Sequence, residues 1–100
     1  MIERHWKGIA KFEEADNYVK HLREDTFRTL ESIPGFVRAT ILQRTIATGI
    51  EFLIITVWES YESIKQFAGP QAAVAVVPEV VRKMMIEFDN DVLHYEVVEE

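Results

Sequence analysis

The sequence predicts an α+β fold of order βαββαβ, the ferredoxin-like arrangement in which a four-stranded antiparallel sheet carries both helical segments on one side. Three observations predict it. Apolar residues recur at helical spacing between positions 12 and 30, and two strand-like stretches, 36–43 and 52–58, flank a short turn. A second helical region then gives way to an alternating stretch over 93–97.

Taken in order, residues 2–9 are mixed, with Trp6 and Ile9 the best strand formers, and the stretch is too short for another element before the next periodic segment. In that segment Phe12, Ala15, Val19, Leu22, Phe27 and Leu30 mark one face of an amphipathic helix. Glu13 and Glu14 suit the positive end of its dipole, and Ile33-Pro34-Gly35 ends it. Residues 36–43 alternate and are rich in Val, Thr and Ile, 45–49 turn, and 52–58 complete a hairpin. Ser60 caps a short helix with Ile64 and Phe67 on one face, stopped by Gly69-Pro70. A further helical piece is expected over 71–76, then a helix opened by Pro78 with Val81, Met84, Met85 and Phe88 as its buried stripe. Asp89-Asn90-Asp91 turns the chain into the last strand, where Leu93, Tyr95 and Val97 alternate with His94 and Glu96.

One strand constrains assembly. In 52–58, Phe52, Ile54 and Trp58 alternate with Leu53, Ile55 and Val57, so both faces are apolar while helices cover only one. An uncovered face of that size predicts a homodimer.

With 100 residues and 11.6 kDa, the chain is expected to be a single domain, 1–100. Its net charge of −6 argues against nucleic acid and against an anionic membrane surface. No apolar run approaches the roughly 20 residues that span a bilayer, and residues 1–5 lack a signal-peptide apolar region. The absence of cysteine removes disulfides and thiolate chemistry and fits a reducing compartment, so a cytoplasmic location is expected.

At Ile33-Pro34-Gly35-Phe36, at Ile55-Thr56-Val57-Trp58-Glu59-Ser60 and at His94-Tyr95-Glu96-Val97 the chain resembles the antibiotic biosynthesis monooxygenase family of the dimeric α+β barrel superfamily. The resemblance spans nearly the whole chain. It implies two βαββαβ subunits packed sheet to sheet, each with a pocket between sheet and helices. It also implies a cofactor-independent monooxygenase acting on a small aromatic or phenolic molecule, or a non-catalytic small-molecule-binding module of the same fold. The family's oxygenases use an Asn and a Trp on the third strand and a Tyr on the next helix. Trp58 stands at the Trp position, but Ile54 and Ile64 stand where the Asn and Tyr would be. Isoleucine can neither deprotonate a phenol nor hydrogen-bond its anion. The haem-degrading branch uses a first-strand Asn, a helix Trp and an axial His. Here the helix position is Phe67, the His position falls near Val77, and the first strand has no Asn.

Trp58, Trp6, Arg38 and Phe67 are the candidate pocket residues, and His94 the candidate catalytic one. Trp58 either stacks on a flat ligand or anchors the core, and Trp6 carries the same two readings. Arg38, if paired with Thr56 across the hairpin, would aim a guanidinium at the pocket and favour an anionic or phenolate ligand; otherwise it is a rim residue in a surface ion pair. His94 is either a proton acceptor or a hydrogen-bonded pocket or interface histidine. His21 falls off the apolar stripe and is expected to face solvent. His5, His94 and Glu96 lack diagnostic metal spacing, no Gly-rich phosphate loop is present, and no flavin, haem or metal is expected.

Overall fold

The computed structural model describes residues 1–100. Strand β1 (Ile2–Ala10) is the centre of one antiparallel sheet. On one side it pairs with β3 (Ile50–Trp58), which pairs in turn with the edge strand β2 (Phe36–Thr45). On its other side β1 pairs with β4 (Met85–Phe88) along Gly8 to Ala10 and with β5 (Leu93–Glu96) along Ile2 to His5. The fourth strand of the predicted sheet is therefore present as two pieces, with residues 89–92 bulging out between them.

Between β1 and β2 the chain is helical in four stretches. A 3-10 turn (Phe12–Glu14) leads into α1 (Ala15–His21), a π-helical turn (Leu22–Thr26) follows, and α2 (Phe27–Glu31) closes the run. The buried residues are Tyr18, Leu22 and Leu30, with Val19 and Phe27 partly buried. The wider π turn re-phases the helix, so Thr26 and Phe27 both reach the sheet side. His21, expected in solvent, keeps only 13% of its side-chain surface exposed, 3.9 Å from Asp25. Helix α3 (Tyr61–Ala68) starts where the Ser60 side chain accepts the Ser63 N–H at 3.3 Å.

Two expected elements differ. Residues 71–76 form an extended strap, not a helix. Gly69 at φ +82° turns the chain, and Val74 bridges Asp91 antiparallel. The Ala75 N–H donates to Asn90 O and the Val92 N–H to Ala73 O, each at 2.8 Å, so strap and bulge satisfy each other's backbone. The last helix, α4 (Glu79–Met84), stops before Met85. Met85 and Phe88 are paired to Ala10 and Gly8 instead. The apolar spacing 81, 84, 85, 88 is compatible with a helix, and pairing to a distant strand overrides it.

The sheet's helix side buries Ile2, Arg4, Ala10, Phe52, Ile54, Thr56 and Trp58. The outer side carries His5, Leu53 and Ile55, half-buried, beside exposed Leu42, Leu93 and Tyr95. Val57, expected to need a partner's cover, is already buried within the chain. No helix is long and apolar enough to cross a membrane.

Gly35, at φ +93°, ends the turn into β2, and a Cβ there would lie 1.9 Å from Ser63 Oγ. Gly69, at φ +82°, has nothing within 4 Å of such a Cβ. Gly69→Ala should therefore cost only the backbone strain of its φ +82°, ψ −175° conformation, about 1–3 kcal/mol, and Gly35→Ala should lose about 1–3 kcal/mol more through the clash. Urea denaturation of the two variants measures the difference, and equal losses would contradict it.

Candidate functional site: an apolar cleft closed by a buried arginine

A small cleft of about 80 Å³ lies between the helix side of the sheet, the α1–α2 run and the strap. Its walls are apolar: Trp6, Ile54 and Val92 from the sheet side, Leu22, Phe27 and Leu30 from the helices, with Phe67 and Val76 completing them. Its polar groups are Arg4, Thr56, Tyr18 and Thr26.

Trp6 owes its position to glycine. A Cβ on Gly8 would stand 2.6 Å from the Trp6 ring, so the indole can fold along the strand only because that atom is missing. Its Nε1–H donates to Asp89 O at 2.9 Å, which ties the cleft wall to the bulge. Tyr18 packs edge-on against Phe52, with ring centroids 4.9 Å apart, and lies 6.2 Å from Trp6. Burial pushes the Tyr18 phenol well above its ordinary range, so it is a hydrogen-bond donor at neutral pH and not a base.

Arg4 is 5% exposed. Its Nη1 donates to Ala72 O and lies 3.0 Å from His94 Nε2, and its Nη2 donates to Val74 O at 3.2 Å. The guanidinium also sits over the Phe67 ring, 5.9 Å from its centroid. Burial lowers its pKa to about 10, which leaves it charged at neutral pH. Since Arg4 has only protons to offer, Nε2 of His94 is the acceptor and the imidazole is neutral with its proton on Nδ1. Burial first, and the Arg4 charge second, hold the His94 pKa below the ordinary value.

The predicted site residues divide among three places. Trp6 and Phe67 line the cleft. Trp58 does not line it: the ring is 0% exposed, stacks behind Phe67 at 6.2 Å, and donates its Nε1–H to Thr56 Oγ1 at 2.8 Å. It is a core anchor that positions two cleft residues, Thr56 and Phe67. Arg38 stands on the opposite face of the sheet. The β2–β3 register shifts between Phe36 and Arg38, so Arg38 pairs with Val57 instead of Thr56, and one residue of slip reverses every side chain. Its side chain is 54% exposed, 3.6 Å from Glu100. His94 faces the helix side beside Arg4, whereas His5 pairs with Leu93 on the outer side, 2.8 Å from Glu3. The sheet thus separates the two histidines.

Arg4 and Tyr18 are the residues that sequence reasoning missed. The signal for Arg4 was its alternation with Ile2 and Trp6, a charge on an otherwise apolar strand face. Tyr18 precedes Leu22 by four residues, one helical turn back.

The fold is shared with solved structures of candidate antibiotic biosynthesis monooxygenases. A solved structure of a candidate member from Deinococcus radiodurans matches with a TM-score of 0.72 at 16% identity, over 100% of this chain and 95% of that one. A candidate member from Bacillus cereus matches at 0.68 and 18% identity, over 99% and 92%. The haem degrader MhuD from Mycobacterium tuberculosis, solved with two haems in its active site, matches at 0.61 and 19% identity, over 100% and 98%. No protein-family model and no curated protein matches the sequence. The residues present here do not fit a haem. Among the cleft side chains only Tyr18 is of an iron-ligating type, its phenol is held protonated, and the His94 Nε2 lone pair faces Arg4.

The depressed His94 pKa makes stability depend on pH. The unfolded chain takes up this proton near 6.5 and the folded chain resists it, so stability is full above about 6.5 and falls as pH drops toward the lower folded value. His94→Gln should flatten that fall. Urea midpoints between pH 7.5 and 5.0 that change in parallel for both proteins would contradict a lowered His94 pKa in the folded chain.

Proposed function

We propose that the protein is a homodimeric, cofactor-independent monooxygenase acting on a small aromatic or phenolic molecule held in this cleft. The observation that carries the reading is the cleft itself. On a fold shared with monooxygenase structures, two aromatic walls, Trp6 and Phe67, run up to a cationic end formed by Arg4 and the Thr56 hydroxyl.

Oxygenation without a cofactor requires the substrate to supply all the electrons. A phenolate bearing a ring methylene group meets the balance: the CH2 becomes a carbonyl, one atom of O2 enters the product, and the other leaves with the two hydrogens as water. The protein's part is to hold the substrate as its anion. A guanidinium fixed in a site shielded from water stabilises that charge far better than solvent-exposed donors do. His94 enters as the residue that orients Arg4, its neutral Nε2 accepting from the guanidinium.

A second reading, a non-catalytic binding module, is favoured by Ile54, which puts an aliphatic wall where the family oxygenases have a polar group. The homodimer follows from the sheet's outer side, where Leu42, Leu93 and Tyr95 are exposed beside Leu53 and Ile55.

Oxygen uptake with a hydroxylated anthrone, followed with the appearance of the quinone, separates the readings. The enzyme reading predicts stoichiometric uptake, with kcat/KM lowered about a hundredfold in Arg4→Gln. Tight binding without oxygen uptake leaves the binding module. Sedimentation equilibrium should show a dimer that Ile55→Asp disrupts, because a lone carboxylate in a dry interface has no partner. A stable wild-type monomer would contradict the assembly.

A further inference from the structure

Arg4 is a buried cation without a counter-charge. The chain carries 17 acidic residues and a net charge of −6, yet none of them lines the cleft and none of its ion pairs includes Arg4. The partners of the guanidinium are two backbone carbonyls, a neutral imidazole and the face of Phe67. Buried arginines are ordinarily matched by an acid, since an unmatched charge removed from water is costly.

The hydrogen-bond inventory says where the missing charge belongs. A guanidinium has five N–H protons. Nη1 uses two, on Ala72 O and His94 Nε2, and Nη2 uses one, on Val74 O. The proton on Nε and the second on Nη2 have no partner in the chain. They sit on adjacent nitrogens of one planar fork, and Arg4 is itself a cleft-lining residue. Thr56 also lines the cleft, its Oγ1 accepting from Trp58 and so leaving its own proton free to donate.

We propose that the cleft selects its ligand as an anion: a small aromatic molecule whose single oxyanion group, a carboxylate or a phenolate, sits on the two free N–H groups of Arg4 and supplies the counter-charge the fold omits. This deepens the functional reading above and rests on it. The neutral form of the same molecule leaves the cation unmatched and one or both donors without an acceptor, so discrimination comes from the oxyanion and not from the ring.

Calorimetry with matched probes tests this without relying on turnover. 2-Naphthoate should bind the wild-type protein at least tenfold more tightly than the isosteric, uncharged 2-naphthamide. For the phenolate arm, 4-nitrophenol at pH 6, largely neutral in solution, should develop the absorbance of its anion on binding, while 4-nitroanisole binds weakly. Preference for both anions supports the general oxyanion site. Preference for one alone supports it and identifies the group. Arg4→Gln, checked for folding by near-ultraviolet circular dichroism, should erase the preference between naphthoate and naphthamide. The wild-type comparison stands even if that variant misfolds. Equal binding of naphthoate and naphthamide, together with 4-nitrophenol bound in its neutral form, would overturn the inference while leaving the aromatic cleft intact. Failure of every aromatic probe to bind would overturn the inference and the functional reading together.

Discussion

A charge that cannot leave the interior organises this small protein. Arg4 sits on the central strand, on the face that the helices cover, where its neighbours Ile2 and Trp6 are apolar. A guanidinium so placed must find acceptors or destabilise the fold by several kcal/mol. It finds them in parts of the chain roughly 70 and 90 residues away: the carbonyls of Ala72 and Val74 and the ring of His94. The strap is thereby drawn across the mouth of the cleft, and Val76 becomes one of its walls. The same strap exchanges hydrogen bonds with the bulge that divides the fourth strand, and the bulge holds Trp6 through Asp89. One ionic group thus joins β1, the strap, the bulge and β5, and what these elements enclose is the site.

The hydrophobic framework is simpler, and it settles the other walls. Trp58, Leu30, Ile64 and Ile2 form a cluster at one end of the sheet, and Phe52, Tyr18, Leu22, Met84 and Met85 belong to another at the opposite end. The cleft lies where the two meet, with Phe27 packed against both. The π turn brings Phe27 there by re-phasing the helix between Leu22 and Leu30.

Much of this was legible in the sequence because it is local. The alternation of Phe52, Ile54 and Trp58 against Leu53 and Ile55 identified the two faces of β3, and Ser60, Pro34-Gly35 and Gly69-Pro70 marked element ends by their own backbone preferences. What could not be read was set by distant partners. Met85 and Phe88 fit a helical stripe until β1 offers them a ladder, and residues 71–76 form a strap because the bulge satisfies their backbone. Arg38 left the pocket side through a register shift near Val37, which no pattern in β2 announces. In the cleft, Trp6 and Phe67 could be named as aromatic residues on covered faces. Arg4 was visible only as an anomaly, a charge among apolar residues on one strand face.

Hydrogen exchange tests most directly whether Arg4 organises the strap. In Arg4→Gln the amides of Ala75 and Val92, which join strap to bulge, should lose at least tenfold in protection, while those of Phe52 and Ile54 in β3 keep theirs. Unchanged protection at Ala75 and Val92 would show that the strap holds without its buried cation and would contradict the account.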